Sequence, residues 1–170
     1  LDNSAALILD TTVSDALPAK SEPNEIRELE AAISLCASIA FSIKDNRLID
    51  FLLAGDNLYE FAAQPRPARL DRAHDILAGV EPSKDYPSPP TAELLAERFT
   101  EISEVFFVLL QWNKTHQHLL ELAENAGCHC TVLIIGTPER MSPDQEDQQQ
   151  HIDIRFFSPD DILAGRIEHL

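Results

Sequence analysis

The 170-residue chain is 44% hydrophobic and 25% charged, enough apolar material for one domain with a core and too much for a disordered segment. Its 13 Lys and Arg stand against 29 Asp and Glu, giving a formal net charge of -16. That sign repels nucleic-acid phosphates and anionic lipid, and it suits a basic protein partner, a divalent cation or simple solubility. No apolar stretch reaches the roughly 18 residues a membrane span needs. The first residue is Leu1, so the segment reads as a piece of a longer protein with room elsewhere for a membrane anchor, and its unpaired set of three cysteines suits a cytoplasmic segment.

In chain order, Ala5 to Asp10 is short, apolar and ended by Asp10-Thr11, the pattern of a buried strand. Pro18 and Pro23 mark a loop over 15–24. From Glu25 the period changes. Ile26, Leu29, Ala32, Ile33, Cys36, Ala37 and Ala40 recur at threes and fours, an amphipathic helix with small residues for close packing. Asn24 is its expected N-cap, and Glu25 and Glu28 favour the positive end of the helix. Leu48 to Ala54 is a second strand, followed by the turn Gly55-Asp56-Asn57. Leu58 to Ala62 is a short strand nearer an edge, and Leu70 to Val80 a short helix. Glu81 to Pro90 holds Pro82, Pro87, Pro89 and Pro90 and reads as a loop.

Thr91 to Phe99 is helical. Val105 to Leu110 is the most hydrophobic strand and is expected near the centre of the sheet. Thr115 to Asn125 is a helix stopped by Gly127. Cys130 to Ile135 is another buried strand, Met141 to Gln150 a polar loop, and Ile152 to Phe156 the last strand. Ser158 and Pro159 cap and open a final helix. This alternation predicts one domain over residues 1–170, a three-layer α/β/α fold with a doubly wound, mostly parallel, Rossmann-like sheet.

Three cysteines make no disulfide framework. Cys36 falls in the helical pattern as a small buried hydrophobe. Strand alternation sends Cys128 and Cys130 to one face and His129 to the other, and zinc there would need two more ligands from elsewhere. His116 and His118 are two apart near a helix start and do not share a face as an i,i+4 metal pair would. The five glycines form no phosphate loop, and there is no Gly-x-Ser-x-Gly elbow.

The apolar strand with Asp10-Thr11-Thr12-Val13-Ser14, the helix stretch from Arg27 to Ala40 and the strand Leu48 to Ala54 come in a recognisable order. Together they resemble the C-terminal, von Willebrand factor A-like domain of bacterial DUF58 proteins. In A-domains an Asp-x-Ser-x-Ser loop helps hold a divalent cation that binds a partner's acidic group. The resemblance implies that Asp10, Thr12 and Ser14 supply this loop, with Thr12 in place of the middle serine. It assigns Thr91 to a threonine from a later loop. After Val105 to Leu110 it expects an aspartate, where this chain has Asn113. Lacking that carboxylate, the implied Mg²⁺ or Mn²⁺ site is degenerate.

The implied role is non-catalytic protein interaction or scaffolding, with a MoxR-type AAA+ ATPase as partner. One alternative is a structural domain with an inert mouth. Another is a metal-dependent phosphohydrolase, although Thr12 stands where a second aspartate would be needed. Trp112, at the mouth of the same strand, reads either as an aromatic anchor for a partner or as a half-buried lid. Asp144, Glu146 and Asp147 read as a solvated acidic loop or a contact for a basic partner.

Overall fold

A computed structural model describes residues 4–14, 23–42, 48–61, 64–84, 87–136 and 153–165. Within them, six strands form one sheet: β1 (Ser4–Leu9), β2 (Leu48–Ala54), β3 (Asn57–Glu60), β4 (Glu104–Leu109), β5 (His129–Ile135) and β6 (Asp153–Phe157). Their order is β3-β2-β1-β4-β5-β6. Every neighbouring pair is parallel except the β2–β3 hairpin, which puts β3 at an edge. The described helices are α1 (Pro23–Ser42), α2 (Arg66–Ala78), α3 (Pro89–Phe99), α4 (Lys114–Asn125) and α5 (Pro159–Leu163). None of them is long and apolar enough to cross a membrane.

The central strands are apolar on both faces, as a covered parallel sheet requires. Leu7, Leu9, Val108, Leu133 and Ile135 pack with α1, α2 and α5 through Leu35, Cys36, Ala73, Leu77 and Ile162. Ala6, Ile8, Val105, Phe107, Leu109, Val132 and Ile134 pack with α3 and α4 through Leu95, Phe99, Leu119, Leu120 and Ala123. The result is the expected three-layer α/β/α arrangement. Arg27 on α1 adds a surface tie to Asp160 on α5, with Nε 2.8 Å from Oδ1.

Several boundaries move for one physical reason. Helix α2 begins at Arg66 rather than Leu70, and α3 at Pro89 rather than Thr91. Both carry proline at the first or second helical position, where a missing N–H costs no intrahelical bond. Helix α1 starts at Pro23, so Asn24 lies inside the first turn and is not its N-cap. Ser158 does cap the last helix, accepting from the Asp161 N–H at 3.1 Å. The stop at Gly127 also holds, with φ at 91°.

Because β1 lies between β2 and β4, successive connections leave it in opposite directions. Its C-terminal end is therefore the switch point where open α/β sheets form crevices. The segment after β1 is braced there by a strip of chain around Ser83. The Val13 N–H donates to the Ser83 carbonyl and the Ser83 N–H to the Thr11 carbonyl, both at 2.9 Å. The hydroxyls of Thr11 and Ser83 meet at 2.8 Å. On the β2 side, the Gly55 N–H donates to the Leu9 carbonyl at 3.2 Å.

Gly55 has φ of 63°, and a Cβ there would lie 2.7 Å from Thr11 Oγ1. Gly55→Ala therefore combines a left-handed backbone with a clash against the braced loop. It is expected to cost about 2 kcal/mol, read as a lowered urea midpoint with an unchanged slope.

Candidate functional site

Asp10 continues the alternation of Ala6 and Ile8, so its side chain turns toward the α3/α4 face. Its carboxylate is 1% exposed. Burying an ionised carboxylate is costly unless hydrogen bonds replace water, and this one is well supplied. Oδ1 accepts from the Thr12 N–H at 2.8 Å, closing a turn within its own loop. Oδ2 accepts from the Leu110 N–H at 3.1 Å, across to the segment leaving β4. Oδ2 also faces His116 Nε2 at 3.5 Å, from a ring only 3% exposed. The other ring nitrogen, Nδ1, lies 2.8 Å from the Gln111 carbonyl. A carbonyl only accepts, so Nδ1 carries the hydrogen of that bond.

The β4–α4 connection is held just as closely. Asn113 is the N-cap of α4, its Oδ1 accepting from the His116 N–H at 2.9 Å. His116 shares the buried face of α4 with Leu119, Leu120 and Ala123. A loop from β1, a backbone N–H after β4 and the first turn of α4 thus converge on one carboxylate.

This geometry divides the expected ligand set between two spaces. Asp10, Thr12 and His116 border a small pocket of about 10 Å³. Thr12 and Ser14 border an open cleft of about 420 Å³, together with Val13, Glu25, Glu28, Leu110 and Gln111. Asp10 does not line that cleft. The reason is topological: Asp10 turns toward α4, whereas the cleft lies against the N-terminal turns of α1, which carry Glu25 and Glu28. There the Ser14 hydroxyl donates to Glu25 Oε2 at 2.6 Å. Glu28 is buried, at 6% exposure.

The remaining expected ligands are engaged elsewhere. The Thr91 hydroxyl lies 3.2 Å from Ser88 Oγ and 3.4 Å from the Asp56 carbonyl, in the turn that starts α3. Desolvation pushes the nearby Asp56 carboxyl up, but donors from Ser88 and Thr91 outweigh it and hold the group below its ordinary value. Asn113 spends its side-chain oxygen on the α4 cap. Among the described residues, no three His, Cys, Asp or Glu side chains cluster as a metal site would. A Mg²⁺ ion keeps several waters in a near-octahedral shell of about 2.0–2.1 Å radius, whereas a cavity of about 10 Å³ holds roughly one water. The five residues Asp10, Thr12, Ser14, Thr91 and Asn113 do not fit a shared divalent cation in this arrangement.

Trp112 corrects another expectation. It is 5% exposed and packs in the α3/α4 core, so its ring is a lid on that core and not an exposed anchor. Asp144, Glu146 and Asp147 lie outside the described residues. Sequence reasoning passed over His116, Leu110 and the pair Glu25 and Glu28 as parts of one mouth. A signal for His116 was available: it falls three and four residues before Leu119 and Leu120, on the apolar stripe of α4.

The cysteines behave as packing groups. Burial pushes the Cys36 thiol far up, and it raises Cys128. Cys130 is pushed up to about 12, chiefly by desolvation, with Cys128 and Glu124 adding to it. His129 projects outward, as strand alternation requires, with its side chain 73% exposed.

No family model matches the chain, and no curated protein matches it.

Asp10→Ala removes the shared acceptor and strands the Thr12 and Leu110 N–H groups. The expected loss is about 3 kcal/mol in urea unfolding. Native thiols should resist iodoacetamide at about pH 8 and react fully only after unfolding, because the thiolate is the reactive form. Mass spectrometry of the alkylated protein checks this.

Proposed function

We propose that this domain is a non-catalytic protein-interaction module whose binding face is the mouth of the sheet between β1 and β4. The observation that carries the reading is the cleft lined by Thr12, Ser14, Glu25, Glu28 and Gln111 at the switch point. It combines hydroxyls, an amide and carboxylates, the donors and acceptors that orient a polar partner group. A basic side chain of the partner is the complementary group. The chain's net charge of -16 favours the approach of such a partner. The resemblance to DUF58 proteins supplies the partner class, a MoxR-type AAA+ ATPase, and the scaffolding role that goes with it.

A second reading is favoured by one specific observation. Every polar contact of the Asp10 carboxylate is internal, which is what a structural domain with an inert mouth would show.

Binding of a purified MoxR-type ATPase, followed by biolayer interferometry at low salt, separates the two. In the interaction reading, Glu25→Gln weakens capture about tenfold, equivalent to roughly 1.4 kcal/mol. Phe41→Ser leaves it unchanged, since Phe41 is 60% exposed and lies about 24 Å farther along α1. Equal binding by both variants, or none by the native domain, would overturn the reading.

A further inference from the structure

We propose that the groove between α3 and α4 is a docking site for one amphipathic helix of a partner protein, a helix whose two flanks carry opposite charges. The groove lies on the opposite side of the sheet from the cleft against α1, and its occupancy is independent of that cleft.

Both helices start at the C-terminal edge of the sheet. Helix α4 follows β4 directly, and the Ser88 N–H just before α3 donates to Asp56 Oδ1, in the turn that ends β2, at 2.7 Å. From there α3 and α4 pack side by side and leave a groove of about 530 Å³. Its floor is Ala92 and Ala96 on α3 and Leu119 and Leu122 on α4. Ala92, Ala96 and Leu122 remain partly exposed, an apolar strip that a partner can cover. From Lys114 to Leu122 the α4 wall runs about 12 Å, roughly two helical turns. That length takes the side chains at i, i+3 or i+4 and i+7 of one helix face.

Backbone chemistry selects a helix over an extended segment. Both walls are helices whose own N–H and C=O groups are bonded internally, so a strand laid on this floor would leave its backbone groups unpaired. A helix brings only side chains. A second copy of this chain does not suit the groove. The large exposed hydrophobics among the described residues are Phe41, Leu94 and Leu163, none of which lines it, and a net charge of -16 repels a like molecule.

The rims set the charge pattern. Glu93 stands on the α3 rim and Lys114 on the α4 rim, both exposed. Among the described residues neither makes an ion pair, so the two charges do not close the groove across its top. The complementary helix carries Lys or Arg on the flank against α3 and Asp or Glu on the flank against α4, as flanking charges do in paired helices.

The test uses three labelled helical peptides of about 18 residues, long enough to hold a helix, with one leucine stripe and with flanks that are Lys/Glu, Lys/Lys or Glu/Glu. Fluorescence anisotropy with the native chain should show saturable binding of the Lys/Glu peptide, about fivefold tighter than the Glu/Glu peptide. Lys114→Glu should shift the preference about fivefold toward Lys/Lys, and Glu93→Lys by a similar factor toward Glu/Glu. Leu122→Asp should abolish binding, and Phe41→Ser, away from the groove, should leave it unchanged. No saturable binding by the native chain, or a preference that neither rim substitution moves, would overturn the proposal. So would a native dimer in sedimentation that Lys114→Glu dissociates, because the occupant would then be a second copy.

Discussion

A carboxylate buried at the C-terminal end of a central strand must be surrounded by donors, and the mouth of this domain is organised by how that demand is met. Asp10 takes one N–H from its own loop and one from the residue just beyond β4, whose strand lies beside β1. It thereby joins two segments that leave adjacent strands in opposite directions. His116 Nε2 stands 3.5 Å from Oδ2, which brings in the first turn of α4. Each contact depends on the others. The Asn113 cap sets where α4 begins, the start of α4 sets the ring, and the ring faces the carboxylate.

The same constraint decides what the mouth can do. A-domain chemistry asks a strand-end aspartate to share a cation with nearby hydroxyls and to leave one coordination position open. Here the aspartate faces a pocket of about 10 Å³ and the Ser14 hydroxyl a cleft of about 420 Å³. The loop between them is clamped to the chain around Ser83, which keeps it from rearranging cheaply. On the α1 side, Glu25 and Glu28 line the cleft that Thr12 and Ser14 border. The interaction module proposed above would place a partner's basic group at this cleft, with the acidic surface assisting its approach.

Much of the architecture was legible in local pattern. Continuous apolar runs located the buried strands, and Leu48–Ala54 matched residue for residue. The switch to threes and fours marked α1 and α4. Proline misled at α2 and α3, where it reads as a loop signal but sits harmlessly in a first turn. The site was less legible because its key contacts join residues far apart in sequence. The bond from the Leu110 N–H to Asp10 spans 100 positions and involves a backbone group that no side chain advertises. Asn113 matched an expected metal ligand by position, yet its role is the local one of ending a loop and starting a helix. Alternation alone did contain one clue: Ala6, Ile8 and Asp10 share a parity, which sends Asp10 toward α4 and away from α1.

Amide hydrogen exchange at Thr12 and Leu110 tests the central claim, that Asp10 knots the β1 and β4 ends together, most directly. In the native chain both N–H groups should exchange as slowly as core amides of β1 and β4. Both should lose that protection together in Asp10→Ala, while amides of the outer strands keep theirs. Fast exchange at either position in the native chain, or protection that survives the substitution, would contradict the account.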